Sequence, residues 1–215
     1  MQIDNIYRIL EKEVVSYKSP IIDLMRARGN SPFRILIATI LSARTKDETT
    51  SKVVSKLFLK VKDFKDLEKI DVKELEKLIY PVGFYKNKAK QLKKLPIVIK
   101  KEFNGKIPEN IDDLVKLPGV GRKTANLVMT AAFGKYGITV DTHVFRIMNR
   151  IGYVKTKNPL ETEMVLRRRL PKKYWKNINY FLVSLGQNVC TPISPYCSKC
   201  PVREYCKRVG VKSKR

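Results

Sequence analysis

A lysine just past a glycine-rich turn and an aspartate eighteen residues further on are the two side chains best placed by sequence to do chemistry. Lys123 follows Leu117-Pro118-Gly119-Val120-Gly121-Arg122, and Asp141 stands in Val140-Asp141-Thr142-His143. The Pro-Gly-Val-Gly run reads as a tight turn between two apolar helical patterns. Glycine permits backbone angles that other residues resist, so successive N–H groups in such a turn can converge on one point. That point is also the start of the next helix, where free N–H groups and the helix dipole favour an anion. A phosphate is the natural guest, with Gly119, Val120 and Gly121 as its cradle. Lys123 then falls in the first turn of that helix. The positive end of a helix dipole disfavours a protonated amine, and an amine that is neutral part of the time can be a nucleophile. Plainer readings stand beside these. Most Pro-Gly-x-Gly turns are helix C-caps with no ligand, a lone lysine at a helix start is usually a solvated charge, and Asp141 reads equally as the N-cap of a helix from Thr142.

The four cysteines fall within the last 26 residues, as Cys190, Cys197, Cys200 and Cys206, spaced C-x6-C-x2-C-x5-C. In a reducing cytosol disulfides are disfavoured. Four thiolates this close suit one metal centre, and the Cys-x2-Cys step brings two sulfurs from one turn to the same group. Structural zinc and a [4Fe-4S] cluster both satisfy the spacing.

The charge balance narrows the partner. The chain of 215 residues carries 45 Lys+Arg against 20 Asp+Glu, a formal charge of +25. Such a surplus implies a polyanion as partner, unless it is only a highly charged solvated surface. The cations are clustered, which a merely solvated surface does not need. Lys86 to Lys101 holds seven lysines and no acid, and Met164 to Lys176 holds six Lys+Arg and no acid. No stretch of eighteen apolar residues offers a membrane span. The N-terminus lacks an apolar signal region, so an intracellular protein is expected.

Taken together, Leu117-Pro118-Gly119-Val120-Gly121-Arg122-Lys123-Thr124-Ala125, Val140-Asp141-Thr142-His143 and the cysteine spacing resemble the endonuclease III family of helix-hairpin-helix DNA glycosylases. The resemblance runs from about residue 32 to 206. It implies a bifunctional glycosylase and abasic-site lyase acting on oxidised pyrimidines in damaged double-stranded DNA, as a monomer. Lys123 would be the nucleophile and Asp141 its catalytic partner. C-x6-C-x2-C-x5-C is the family's cluster signature, so the resemblance implies one [4Fe-4S] cluster on Cys190, Cys197, Cys200 and Cys206, structural rather than catalytic. Three positions match residues that fill the gap left by an extruded nucleotide: Arg44, Phe84 and His143. Arg44 is a departure, because bacterial relatives read Leu-Ser-Ala-Gln where this chain has Leu41-Ser42-Ala43-Arg44. Glutamine donates and accepts, whereas arginine only donates. A core aromatic at Phe84 and a hydrogen-bonded structural histidine at His143 are the alternatives. Rivals for the function are a monofunctional mismatch or adenine glycosylase, a non-catalytic DNA-binding module and, more weakly, a zinc-ribbon adaptor. Lys123 argues against the first. Asp141 and the cysteines argue against the second.

The elements that must position these residues read as helix nearly throughout. Ile3, Ile6, Tyr7, Leu10 and Val14 mark a first face; Phe33, Leu36, Ile37, Ile40 and Leu41 mark a second, opened by Ser31-Pro32. Val53, Val54, Leu57 and Phe58, then Val72, Leu75 and Ile79, continue the pattern. A helix over 111–117 should stop at Pro118, and Pro96 should kink or break the segment 88–101. Faces with Val144, Ile147 and Ile151, then with Ile178, Leu182 and Leu185, follow. No sustained alternation predicts a sheet, and residues 211–215 look disordered. The resemblance implies an all-α fold of two lobes with the DNA cleft between them: a helical domain over 23–135, and a second lobe joining 1–22 to 136–215.

Overall fold

The structure, a computed structural model, describes residues 2–14 and 20–215. Among the described residues it is helical, with short 3-10 turns and no strand. The N-terminal helix α1 (Gln2–Glu13) belongs with the C-terminal part of the chain: Met1–Pro20 and Tyr136–Arg215 form one compact unit, and Ile21–Lys135 forms the other.

The continuous unit holds α2 (Ile21–Ala27), α3 (Pro32–Ser42), α4 (Asp47–Lys60), α5 (Phe64–Lys69), α6 (Val72–Ile79), α7 (Tyr85–Phe103), α8 (Ile111–Leu114) and α9 (Arg122–Phe133). Helix α3 is its axis. Ser31 caps it by accepting the Arg34 N–H, and Pro32 takes the first turn, where a missing N–H costs nothing. Every residue of α3 from Phe33 to Leu41 except Arg34 is buried, so the helix is apolar nearly all round and central rather than amphipathic. It packs against α9, α4 and α7. Asp63, Asp71 and Asn110 cap α5, α6 and α8 by accepting backbone N–H groups. Each fully buried leucine or isoleucine of this core, Leu57, Leu75, Leu92 and Leu95 among them, stabilises the unit by roughly 1.5–3 kcal/mol.

Two helix boundaries differ from the sequence expectation. Helix α7 runs unbroken through Pro96. An interior proline removes one backbone bond and costs about 3 kcal/mol. Pro96 is itself buried beside Leu92, Leu95 and Ile99, and that apolar face holds the helix together. Helix α8 stops at Leu114, not Leu117. Beyond it the bonds tighten to the i+3 pattern, with Lys116 N–H on Asp113 O and Leu117 N–H on Leu114 O, both 3.1 Å. That tightening leads the chain into the Pro118-Gly119 turn.

The other unit packs α1 against α12 (Trp175–Asn188), with α10 (Thr142–Ile151) and α11 (Pro159–Arg169) around the same core. Ile3, Ile6, Tyr7 and Leu10 form the buried stripe of α1, at the i, i+3, i+4, i+7 spacing of a helix face. Val144, Ile147, Met148 and Ile151 do the same for α10, and Ile178, Phe181, Leu182 and Leu185 for α12. After α12 the chain winds through two 3-10 turns, Cys197–Lys199 and Arg203–Tyr205. The tail folds back onto the loop before Cys197, a contact the sequence did not suggest. Arg215 N–H donates to Pro195 O at 2.8 Å, its carbonyl accepts from Ser198 N–H at 3.1 Å, and its guanidinium lies 4.0 Å from the Tyr196 ring centre. Terminal composition alone could not show that the tail has a loop to close.

Candidate active site

The turn before α9 is built as the sequence suggests. Gly119 has φ +80°, a conformation costly for any other residue, and a Cβ there would meet the Gln91 side chain at 2.9 Å and Ile40 at 3.3 Å. Val120 is buried and its N–H closes the turn on Leu117 O at 3.0 Å. Gly121 is the N-cap of α9, offers no side chain to satisfy the first N–H groups, and faces open space where a Cβ would stand. Lys123 is exposed in the first turn of α9, directly behind that backbone. A helix start left without a side-chain cap, in a chain this basic, is suited to an anion that brings its own oxygens.

Asp141 is the N-cap of α10. One carboxylate oxygen accepts the N–H groups of His143 and Val144, each at 2.9 Å. The cap fixes the direction of the carboxylate. His143 is half-buried, with Nδ1 3.1 Å from Arg146 Nη2, and its ring lies where a Cβ on Gly186 would stand. The same Arg146 nitrogen donates to Cys190 O at 2.8 Å. His143 is therefore anchored from behind by its own helix and by α12.

Arg44 and Phe84 are brought together. Both have left-handed backbones, φ 54° and 58°, and the guanidinium lies 5.4 Å from the centre of the ring. Phe84 is 63% exposed, which excludes the core-aromatic reading. Lys88 departs from its apparent place in a surface lysine run. It is 6% exposed, and its ammonium donates to Leu41 O at 2.8 Å and Ala43 O at 2.5 Å, with Thr45 Oγ1 at 3.5 Å. Burial pulls its pKa down to about 8.

The four cysteines are unpaired as disulfides, half-buried, and line one small cavity with Arg150, Val189, Tyr196 and Arg203. Burial pushes the Cys200 thiol up to about 11 and raises Cys206 as well, and the other cysteines add mutual repulsion. Arg150 Nη1 donates to Cys190 Sγ at 3.3 Å. Among the described residues no three His, Cys, Asp or Glu side chains gather tightly around one point for a single ion.

Comparison with known proteins bears on this geometry. The family model described as "HhH-GPD superfamily base excision DNA repair protein" matches residues 37–172, which include the turn, Lys123 and Asp141. Endonuclease III of Thermotoga maritima is 42% identical over 180 residues, 84% of this chain and 84% of its own. The chain belongs to the endonuclease III family. Among solved structures it is similar to a trapped endonuclease III–DNA covalent intermediate, the estranged-adenine complex, at 39% identity and a TM-score of 0.78, covering 83% of this chain and 84% of that one. A thermostable thymine-DNA glycosylase matches with a TM-score of 0.83 at 28% identity, over 96% of this chain and 95% of that one. Endonuclease III is a DNA glycosylase with abasic-site lyase activity, and the protein is a bifunctional glycosylase/lyase of base excision repair.

Within this chain the two basic runs play different parts. On α7, Lys86 and Lys90 are exposed one turn apart, while Lys88 is turned inward. In the run 164–176 several cations are engaged at home. Arg167 pairs with Glu163 at 2.9 Å and lies over Trp175, Arg169 lies over Tyr153, and Lys173 lies over Tyr174. Much of that run holds its own unit together. Arg146 and Arg150 were missed by sequence reading. Their only signal was two arginines four apart on the helix opened by Asp141. No described helix is long and apolar enough to cross a membrane.

Proposed function

We propose that Lys123 is the nucleophile and Asp141 its acid–base partner in the removal of oxidised pyrimidines from duplex DNA. The observation that carries this reading is the exposed amine in the first turn of α9, behind a turn whose backbone is shaped for a phosphate. The damaged nucleotide must leave the stack, because a paired base hides its sugar C1′, and damaged bases cost least to extrude. The neutral amine attacks C1′, the C1′–N bond breaks, and the base departs with the bonding electrons and gains a proton. The C1′–O4′ bond then breaks as the nitrogen lone pair forms C1′=N, and O4′ takes the second amine proton, so the opened ring is left as a Schiff base. Removal of a C2′ proton then expels the 3′ phosphate by β-elimination. The Asp141 carboxylate takes a proton from the amine and stabilises positive charge on the sugar. Gly119, Val120 and Gly121 hold the backbone phosphate. Arg44 and Phe84 enter the gap left by the extruded nucleotide, a role supported by their exposure and pairing, and the family resemblance gives His143 the third such role. The catalytic unit is a monomer.

The cysteines support a resident [4Fe-4S] cluster held by Cys190, Cys197, Cys200 and Cys206. Four half-buried thiols this close lose their protons together only to a multivalent cationic group. A donor set spread around a cavity suits several metals with one thiolate each better than one tetrahedral ion. When bound, the cluster supplies structural cross-linking of the segment after α12. The Arg150 hydrogen bond to Cys190 Sγ neutralises part of the thiolate charge.

A substrate panel tests the reading. Duplexes bearing thymine glycol or 5-hydroxycytosine should be cut without alkali, leaving a β-elimination end. Base release from a G·T mismatch without strand cutting, and no release of the oxidised pyrimidines, would instead assign the protein to the monofunctional glycosylases.

A further inference from the structure

Lys88 sits in the first turn of α7, the helix whose N-cap is Phe84 itself. Its N–H donates to Phe84 O at 3.0 Å, so its backbone is tied to one loop. Its side chain crosses to the other loop, at the carbonyl end of α3, where Leu41 O and Ala43 O receive the ammonium. A cation is well placed at the negative end of a helix. Thr45 closes the link: its hydroxyl lies 3.5 Å from the ammonium and accepts the Gly83 N–H at 3.1 Å. The two loops approach so closely that a Cβ on Gly83 would stand 2.5 Å from Arg44 O. Arg44 and Phe84 emerge side by side from this junction, both in a left-handed backbone conformation that a non-glycine residue keeps only where the surroundings over-determine it.

We propose that Lys88 is a positioning residue: it locks the Arg44 and Phe84 loops into one rigid two-residue insert that enters the duplex when the damaged nucleotide is extruded. The inference rests on the gap-filling reading of Arg44 and Phe84. Without the lysine Leu41 O and Ala43 O lose their bonds from the ammonium, the loops separate, and the insert must be ordered at each encounter with DNA. The ordering cost then falls on extrusion and not on covalent chemistry. Substrates with no gap to fill are indifferent to it.

The test is a double-mutant cycle on the holoenzyme. Single-turnover excision of thymine glycol from duplex DNA is compared with borohydride trapping on a single-stranded abasic oligonucleotide, for Lys88→Met, Arg44→Ala/Phe84→Ala and the combination. Lys88→Met is expected to slow duplex excision about tenfold, the size of an ordinary coupling between contacting residues, and to leave single-strand trapping unchanged. 2-Aminopurine opposite the lesion should show correspondingly weaker unstacking. In the Arg44→Ala/Phe84→Ala background the Lys88 effect should shrink below about twofold. Thr45→Val, at a partly exposed position, runs the same cycle if Lys88→Met does not fold. Equal losses on duplex and single strand, or an undiminished loss in the Arg44→Ala/Phe84→Ala background, overturn the role of Lys88 alone. An Arg44→Ala/Phe84→Ala enzyme that excises at the wild-type rate overturns the gap-filling reading and this inference with it.

Discussion

The Asp141 carboxylate accepts the backbone N–H of His143 at 2.9 Å, and the same oxygen accepts the next N–H along α10. The cap and the proposed catalytic role therefore reside in one side chain and can be separated by substitution. Asparagine caps a helix as well as aspartate does. Asp141→Asn should fold normally and bind damaged duplex with wild-type affinity. It should react about two to four powers of ten more slowly, the usual size of a lost acid–base contribution. Asp141→Ala should in addition lose about 1 kcal/mol of stability with the cap. Thermal melts and single-turnover rates check both. An Asp141→Asn enzyme that loses binding in proportion to rate would reduce Asp141 to a scaffold residue.

Electrostatic attraction is separable from chemistry as well. Lys86 and Lys90 are exposed on α7, and Lys88 between them must be left in place because it is buried. Lys86→Ala/Lys90→Ala should weaken binding to damaged and undamaged duplex alike. It should also lower the slope of log affinity against log salt by roughly 1–2, as two lost phosphate contacts require. Loss confined to damaged DNA would mean that these lysines read the lesion.

The cysteine centre has its own readout. Protein purified without oxygen should be brown and hold about four irons and four acid-labile sulfides per chain. Cys197→Ser should lower thermal stability first and activity only as a consequence. A colourless protein with one zinc per chain would overturn the cluster.

What could be read from the chain depended on how local each feature is. The Asp141 cap, the Ser31-Pro32 helix start and the turn through Gly119 are encoded within four residues, and each stands where its residue types place it. The same holds for the apolar stripes of α1, α10 and α12. Features that join distant segments were not legible. Lys88 looked like one more cation in a run of seven, and only α3, more than forty residues earlier, shows why it is buried. The exposed pairing of Arg44 with Phe84 has the same character, since two residues distant in sequence meet only in the fold. The continuation of α7 through Pro96 and the return of the tail to the 194–198 loop were not legible either, because each rests on packing beyond the local residues.

The account stands on Lys123 as the atom donor to the covalent intermediate. Duplex DNA with an abasic site or thymine glycol, incubated with the protein and borohydride, should yield one reduced protein–DNA adduct. Peptide mapping should place the linkage on Lys123. Lys123→Gln should bind the same duplex with near wild-type affinity and give no adduct. An undiminished adduct in Lys123→Gln, or a linkage mapped to another residue, would contradict the assignment.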